Sequence, residues 1–203
     1  MSEFYSPTNF DQVVPYVMGF VPKWLLLGGP ADAYEAQLAR KRWPGIKIVG
    51  VELNPEAVAW QHKHGWPKDC PLHQAALSDC SGLIRVDCTA DDLRHGRVAS
   101  GDPTQDPQAV MAVTWDDLDR LHGPFEDAIL WLDIETHEWE ALQGAKGLLA
   151  RNAVWLVNVE MQKAVEWKNQ QIDNLLRAHD FRIVGEWNWS ADCWDRVYAR
   201  RPL

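Results

Sequence analysis

Asp133, Glu135, His137 and Glu138 follow directly on the apolar run Ala128 to Leu132. A carboxylate can accept a hydrogen bond from a hydroxyl or attract a cation, and histidine is the side chain whose ordinary pKa suits proton removal near neutral pH. Their placement matters as much as their types. In a parallel α/β sheet, ligands bind in the crevice outside the carboxyl ends of the strands. Another acid, Glu52, closes the apolar stretch Lys47 to Val51, and Gly28-Gly29-Pro30 closes the stretch Trp24 to Leu27. Glu52 stands 24 positions after Gly28, near the ~20-residue spacing at which a carboxylate accepts hydrogen bonds from a ribose diol. The glycines let a ligand approach the backbone closely.

No GxGxxG follows the first strand, so the turn lacks the run of N–H donors that a pyrophosphate needs, which argues against a dinucleotide. A nucleoside cofactor without phosphates, such as S-adenosylmethionine, asks for less. It needs a ribose acceptor, an apolar slot for adenine and polar surroundings for its charged end. Its sulfonium suits a crevice carrying Asp133 and Glu135.

The elements that must position these residues are readable in outline. Trp24 to Leu27 predicts a strand and Ala33 to Arg42 a helix; Lys47 to Val51 predicts a second strand, followed by a helix to His64 with Asn54 as N-cap and Pro55 at its first position. This βαβα order implies parallel strands with right-handed crossovers. His73 to Leu77, Val110 to Thr114, Ala128 to Leu132 and Val154 to Val159 predict further strands, and Leu83 to Val86 alternates weakly. Helices are expected over Trp115 to Leu121, His137 to Leu149 and Ala164 to His179, and Phe181 to Trp187 with Arg196 to Ala199 as a closing antiparallel pair. The polar stretch Cys88 to Gln108 predicts a long loop, and residues 1–21 an N-terminal extension to a single domain spanning 1–203. The fold class is α/β: one doubly wound, Rossmann-like sheet, mostly parallel.

Composition narrows the function. A net charge of -9 and a pI near 5.2 disfavour a nucleic-acid partner, which would call for clustered Lys and Arg. No apolar run reaches the ~20 residues that cross a bilayer, so no membrane is expected. The four cysteines form no CxxC pair, which fits reduced thiols in a cytoplasm, and Cys70 with His73, His62 or His64 lacks zinc-knuckle spacing, so no metal site is assigned. Twelve tryptophans are scattered between Trp24 and Trp194, as core-filling residues would be.

The same residues resemble the FkbM-type S-adenosylmethionine-dependent methyltransferases. Asp133-Ile134-Glu135, Glu138 and Ala141-Leu142-Gln143-Gly144-Ala145 are similar to that family's aspartate, glutamate-glycine, glutamate and leucine-lysine-glycine-alanine signature. Glu52-Leu53-Asn54-Pro55 resembles its glutamate-proline-asparagine-proline segment, and Ala75-Ala76-Leu77-Ser78-Asp79 with Gly82 its alanine-leucine-serine-aspartate turn. Thr114 to Leu118 and the strand ending at Glu160 also match in order. The chain departs from the pattern at four places. Leu26 stands where the first strand carries an aspartate, Asp32 where the turn carries a second glycine, Thr136 where a glycine follows Glu135, and His137 where a small residue precedes Glu138.

The resemblance implies a class I methyltransferase sheet, S-adenosylmethionine as cofactor and a small-molecule or sugar hydroxyl as acceptor. It implies cofactor contacts from Gly28, Gly29, Asp32, Glu52, Leu53, Ala76, Leu77 and Asp133. Asp133 would lie beneath the methyl-transfer centre, and Ala76 and Leu77 would flank the adenine. Glu135 is either a general base or a clamp on its loop, Glu138 a structural acid, and His137 either a base or a surface histidine. The rival reading is a methyltransferase-fold binding protein with impaired catalysis. The acceptor's identity and the oligomeric state have no signature in the sequence.

Overall fold

The computed structural model describes residues 20–30, 33–87, 97–98 and 108–200. Its centre is a seven-stranded sheet in the order β10-β11-β9-β8-β1-β2-β3. These strands are β1 (Trp24–Gly28), β2 (Lys47–Glu52), β3 (Leu72–Gln74), β8 (Ala128–Leu132), β9 (Val154–Gln162), β10 (Phe181–Asn188) and β11 (Cys193–Arg200). β3, β2, β1, β8 and β9 run parallel, while β11 is antiparallel to both of its neighbours. From β1 the chain first builds outward to β2 and β3, then returns to the other side of β1 with β8. The order therefore reverses between β1 and β8, where diverging loops open a crevice.

Both faces of the sheet are buried, which is why the strands read as unbroken apolar runs. Leu26, Val49, Val51, Leu130, Leu132, Val157 and Val159 form one face. It is covered by residues of α3 (Trp115–His122), α4 (Glu138–Gln143), α5 (Lys146–Ala150) and α6 (Glu166–Ala178). Leu25, Leu27, Ile48, Ile129, Trp131, Leu156 and Val197 form the other, packed with Ala36 and Ala39 of α1 (Tyr34–Arg42) and with Trp66 beyond α2 (Pro55–His64). At Gly50 an added β-carbon would meet the Trp66 ring at 2.3 Å, so only glycine admits that indole against β2.

The helix expected after β2 begins where its cap is. Asn54 is extended, and its side chain accepts from the N–H groups of Glu56 at 2.8 Å and Ala57 at 3.4 Å, a cap worth about 1 kcal/mol. The single helix expected over His137 to Leu149 is instead two, α4 and α5, broken at Gly144 and Ala145. The break has two causes. An added β-carbon at Gly144 would sit 2.1 Å from the Ser78 carbonyl oxygen, so the chain presses backbone against backbone there. Asp116 then caps α5 from outside, its carboxylate accepting from Gly147 N at 2.8 Å and Leu148 N at 3.1 Å. The helix expected from Ala164 opens with a 3-10 turn, Lys163–Val165, before α6.

The stretch expected as one strand from His73 to Leu77 is divided between sheets. β3 stays in the main sheet, whereas β4 (Ala76–Leu77) pairs with β7 (Gln108–Val113) in a second sheet ordered β4-β7-β5-β6. β5 (Gly82–Asp87) pairs with β6 (Arg97–Val98), so the expected loop from Cys88 to Gln108 is corrected: it contains a strand, and Gln108 already belongs to β7. Its remaining residues, with Asp32 and residues 1–19 of the N-terminal extension, lie outside the described residues.

Candidate active-site crevice

Strand alternation places the candidate acids in one row. Leu27 is in register with Gly50 on one side and Trp131 on the other, and Trp131 is in register with Asn158, which faces Val197. Two residues further along each strand come Glu52, Gly29, Asp133 and Glu160, with Asp195 paired to Glu160 across β11. Because side chains alternate with a period of two, these residues share a face. The sheet thus raises four carboxylates from four strands at its carboxyl edge.

Gly28 and Gly29 tie the edge together. Asp133 N donates to Gly28 O at 3.1 Å, and Gly29 N donates to Val51 O at 2.9 Å. Gly29 has φ 73, and a β-carbon there would lie 1.8 Å from the Asp133 carbonyl oxygen. At Gly28 the Leu77 side chain takes the space, 2.6 Å from an ideal β-carbon. Ala76 and Leu77 are themselves buried, Leu77 within the core beneath Gly28.

Glu52 is held from below by its own turn. Its Oε1 accepts from Asn54 N at 2.8 Å, and Asn54 in turn caps α2, so the carboxylate is fixed to a helix start. Leu53, between them, is partly exposed. Burial raises the Glu52 pKa, with the N–H groups of Asn54 and Leu53 acting in the opposite direction. Such a carboxylate keeps unused lone pairs for a ligand hydroxyl.

Asp133 is exposed to solvent in the crevice, and Glu135 and Glu160 are partly exposed beside it. The protein atoms packed around its carboxyl group, followed by the charges of Glu160, Asp195, Glu138 and Glu135, raise the Asp133 pKa well above the ordinary value. Gln162 Nε2 donates to Glu160 Oε2 at 2.9 Å and to Glu135 Oε2 at 3.3 Å. Cys193 Sγ donates to Glu160 Oε1 at 2.9 Å, and both its burial and that contact raise the thiol pKa, keeping it protonated. Trp189 Nε1 donates to Asp195 Oδ2 at 2.5 Å.

Glu138 and His137 make their hydrogen bonds outside this row. Glu138 is buried and accepts from Ile134 N at 2.9 Å, fastening the loop after β8; burial pushes its pKa up to about 8. His137 is half-buried, with Nδ1 3.4 Å from Glu140 Oε2 and Nε2 3.4 Å from Ser78 Oγ. Lys168 Nζ reaches Glu140 Oε1 at 2.7 Å and donates to the Thr136 carbonyl at 2.9 Å. His137 therefore bridges the loop after β8 to the turn after β4, and burial lowers its pKa.

Glu160, Gln162, Cys193 and Asp195 complete the crevice without having been singled out as site residues. Glu160 carries the same signal as Asp133, an acid closing an apolar strand. Cys193 and Asp195 carry none, because only the antiparallel register of β11 against β9 brings them in.

The family model for the FkbM methyltransferase domain matches residues 27–183. The chain belongs to that family. S-adenosylmethionine is the cofactor that goes with the FkbM domain, and the donor set fits it: a strand-end carboxylate at Glu52, a close-packed glycine turn, and an acidic wall suited to a sulfonium. No curated protein matches the chain in sequence. Among solved structures, the chain is similar to precorrin-6y C5,15-methyltransferase from Geobacter metallireducens, at 8% identity and a TM-score of 0.51, covering 98% of this chain and 93% of that one. It is also similar to the Methanococcus jannaschii fibrillarin pre-rRNA processing protein, at 8% identity and a TM-score of 0.52, covering 89% and 67%. At such identity the likeness is one of fold.

Two departures from the FkbM pattern acquire a structural meaning. Leu26 is fully buried in the core, so a carboxylate at that position has no counterpart here. Thr136 occupies φ 75, and Glu135 before it φ 56. Two consecutive left-handed residues without glycine are costly, most of all for β-branched threonine. Among the described residues, no helix is long and apolar enough to cross a membrane.

Proposed function

We propose that the protein transfers a methyl group from S-adenosylmethionine to a hydroxyl of a small molecule or sugar. The observation that carries this reading is the convergence of the Gly28-Gly29 turn, Glu52 and Asp133 at the point where strand order reverses. S-adenosylmethionine, when bound, supplies a methyl group activated by positively charged sulfur. Glu52 would hold the cofactor by accepting hydrogen bonds from its ribose diol. Asp133, exposed in the crevice, would accept a hydrogen bond from the acceptor hydroxyl, orient its oxygen and take its proton as the O–C bond forms, the C–S bond breaks and S-adenosylhomocysteine leaves. Alignment of this kind contributes much of the acceleration available to a simple displacement. The acidic character of the chain favours a small acceptor over a nucleic acid.

Calorimetric titration with S-adenosylmethionine and S-adenosylhomocysteine tests the cofactor half. Both should bind, and Glu52→Gln should weaken each more than tenfold, about 1.4 kcal/mol; absence of binding by both rejects the reading. The acceptor half is tested by transferring an isotope-labelled methyl group to hydroxylated and amine-bearing candidates and reading its chemical shift. An ether signal supports oxygen as acceptor, and an N-methyl signal alone overturns it.

A further inference from the structure

We propose that Trp189 is a stacking platform for one ring of a saccharide acceptor, placed so that a hydroxyl of the neighbouring ring reaches Asp133. This role rests on methyl transfer to a hydroxyl. Trp189 follows β10 directly, opens the turn 189–192 into β11, and is 43% exposed. Its Nε1 donates to Asp195 Oδ2 at 2.5 Å. Asp195 is buried and paired in register with Glu160, which lies beside Asp133 in the acidic group. The indole therefore starts at the carboxylate row and adds an apolar surface to its β11 end.

Single exposed apolar side chains are ordinary, and the way this one is held sets it apart. Trp189 N donates to Cys193 O at 3.0 Å, and Ser190 N donates to the same carbonyl at 3.1 Å. Lys163 N donates to Asp192 O at 2.9 Å, which ties the turn to the chain leaving β9. The residue is thus fastened through its backbone and through its ring nitrogen. Two other tryptophans with large exposure use their rings locally, Trp60 stacked on His64 and Trp167 beneath the Lys168 ammonium. A large aromatic surface that is already fixed gives up little conformational freedom when a ligand lands on it.

A saccharide ring has a face of C–H bonds and a rim of hydroxyls. The indole face carries the negative side of the ring quadrupole and attracts the C–H groups, while carboxylates accept from the hydroxyls. A flat phenol would use the indole but offers few hydroxyl donors to an acid-lined wall. The spacing then selects the size of the acceptor. β8 and β11 flank β9, and neighbouring strands lie about 4.8 Å apart, so Asp133 and Asp195 stand on strands about 10 Å apart. A ring stacked on the indole leaves room for one more between itself and Asp133. The acceptor is accordingly a disaccharide or the end of a longer glycan rather than a single sugar.

The test is saturation-transfer NMR of the protein with a panel of monosaccharides and disaccharides of the common hexoses and with simple phenols, each with and without S-adenosylhomocysteine. At least one disaccharide should bind in the millimolar range, with the strongest transfer to the C–H protons on one face of one ring. Trp189→Ala should weaken it about tenfold. Trp189→Phe, which keeps an aromatic face and loses only the bond to Asp195, should stay within about threefold, and Trp167→Ala should change nothing. Thermal unfolding confirms that each variant is folded. Disaccharide affinity that survives Trp189→Ala, binding of phenols alone, or no saccharide binding at all overturns the platform. Calorimetry with S-adenosylhomocysteine should give the same affinity for Trp189→Ala as for the parent chain, so failure of the platform and failure of the methyltransferase reading give different results.

Discussion

The carbonyl oxygen of Asp133 fills the space in which a side chain at Gly29 would begin, 1.8 Å from an ideal β-carbon. The chain reversal after β1 is thus pressed directly against the backbone of the loop after β8. Gly29→Ala must either move that carbonyl or abandon φ 73. We expect a loss of about 1–3 kcal/mol in stability by chemical denaturation. More than tenfold weaker S-adenosylhomocysteine binding by calorimetry should accompany it. Unchanged affinity with lowered stability would separate the turn from the cofactor.

Glu138 makes stability depend on pH. Folding raises its pKa to about 8, so between the ordinary carboxylate range and that value the folded chain holds a proton that the unfolded chain has released. Stability from this group is full below the ordinary carboxylate pKa and declines as pH rises through about 8. Glu138→Gln retains an acceptor for Ile134 N and removes the titration. The melting temperature of the variant should therefore fall less between pH 5 and pH 8 than that of the parent chain; parallel curves would reject the assignment.

Thr136 holds a backbone conformation that suits glycine. Thr136→Gly should raise stability by roughly 0.5–1 kcal/mol, the left-handed strain relieved minus the extra freedom of glycine in the unfolded chain. Lys168 grips the Thr136 carbonyl rather than its side chain, so that contact survives the change. A denaturation midpoint that falls would show that the threonine side chain contributes more than its backbone costs.

Asp116 joins two helices that are distant in sequence. Asp116→Ala leaves Gly147 N and Leu148 N without their acceptor and should cost about 1–2 kcal/mol. Hydrogen exchange should show the loss first at Gly147 and Leu148. Uniform exchange changes across the sheet would contradict a local cap.

The parallel sheet was legible because each central strand is a short apolar run closed by glycine, acid or Asn-Pro, and Asn54 announces its helix by local chemistry. Gly28, Glu52 and Asp133 were legible for the same reason. The break at Gly144 was not, since it depends on the Ser78 carbonyl from a distant turn. Nor were Cys193 and Asp195, whose approach to Glu160 is a matter of strand register. Of the side sheet, only residues 97–98 and the start of β7 fall in the stretch expected as loop, because pairing of residues 97–98 with β5 leaves no periodic pattern. The sequence leaves His137 open between a base and a surface histidine, because its contacts with Ser78 and Glu140 depend on a turn distant in the chain.

β11 enters the sheet between β9 and β10. During synthesis β9 therefore emerges as a bare edge and keeps that edge until about 30 more residues have followed. Its unpaired N–H and C=O groups are then a template for the wrong strand. The crevice, which needs Cys193 and Asp195 beside Glu160, cannot be completed before that wait ends. Assembly order thus delays the acidic wall until late in folding, when most of the sheet that carries it is already in place.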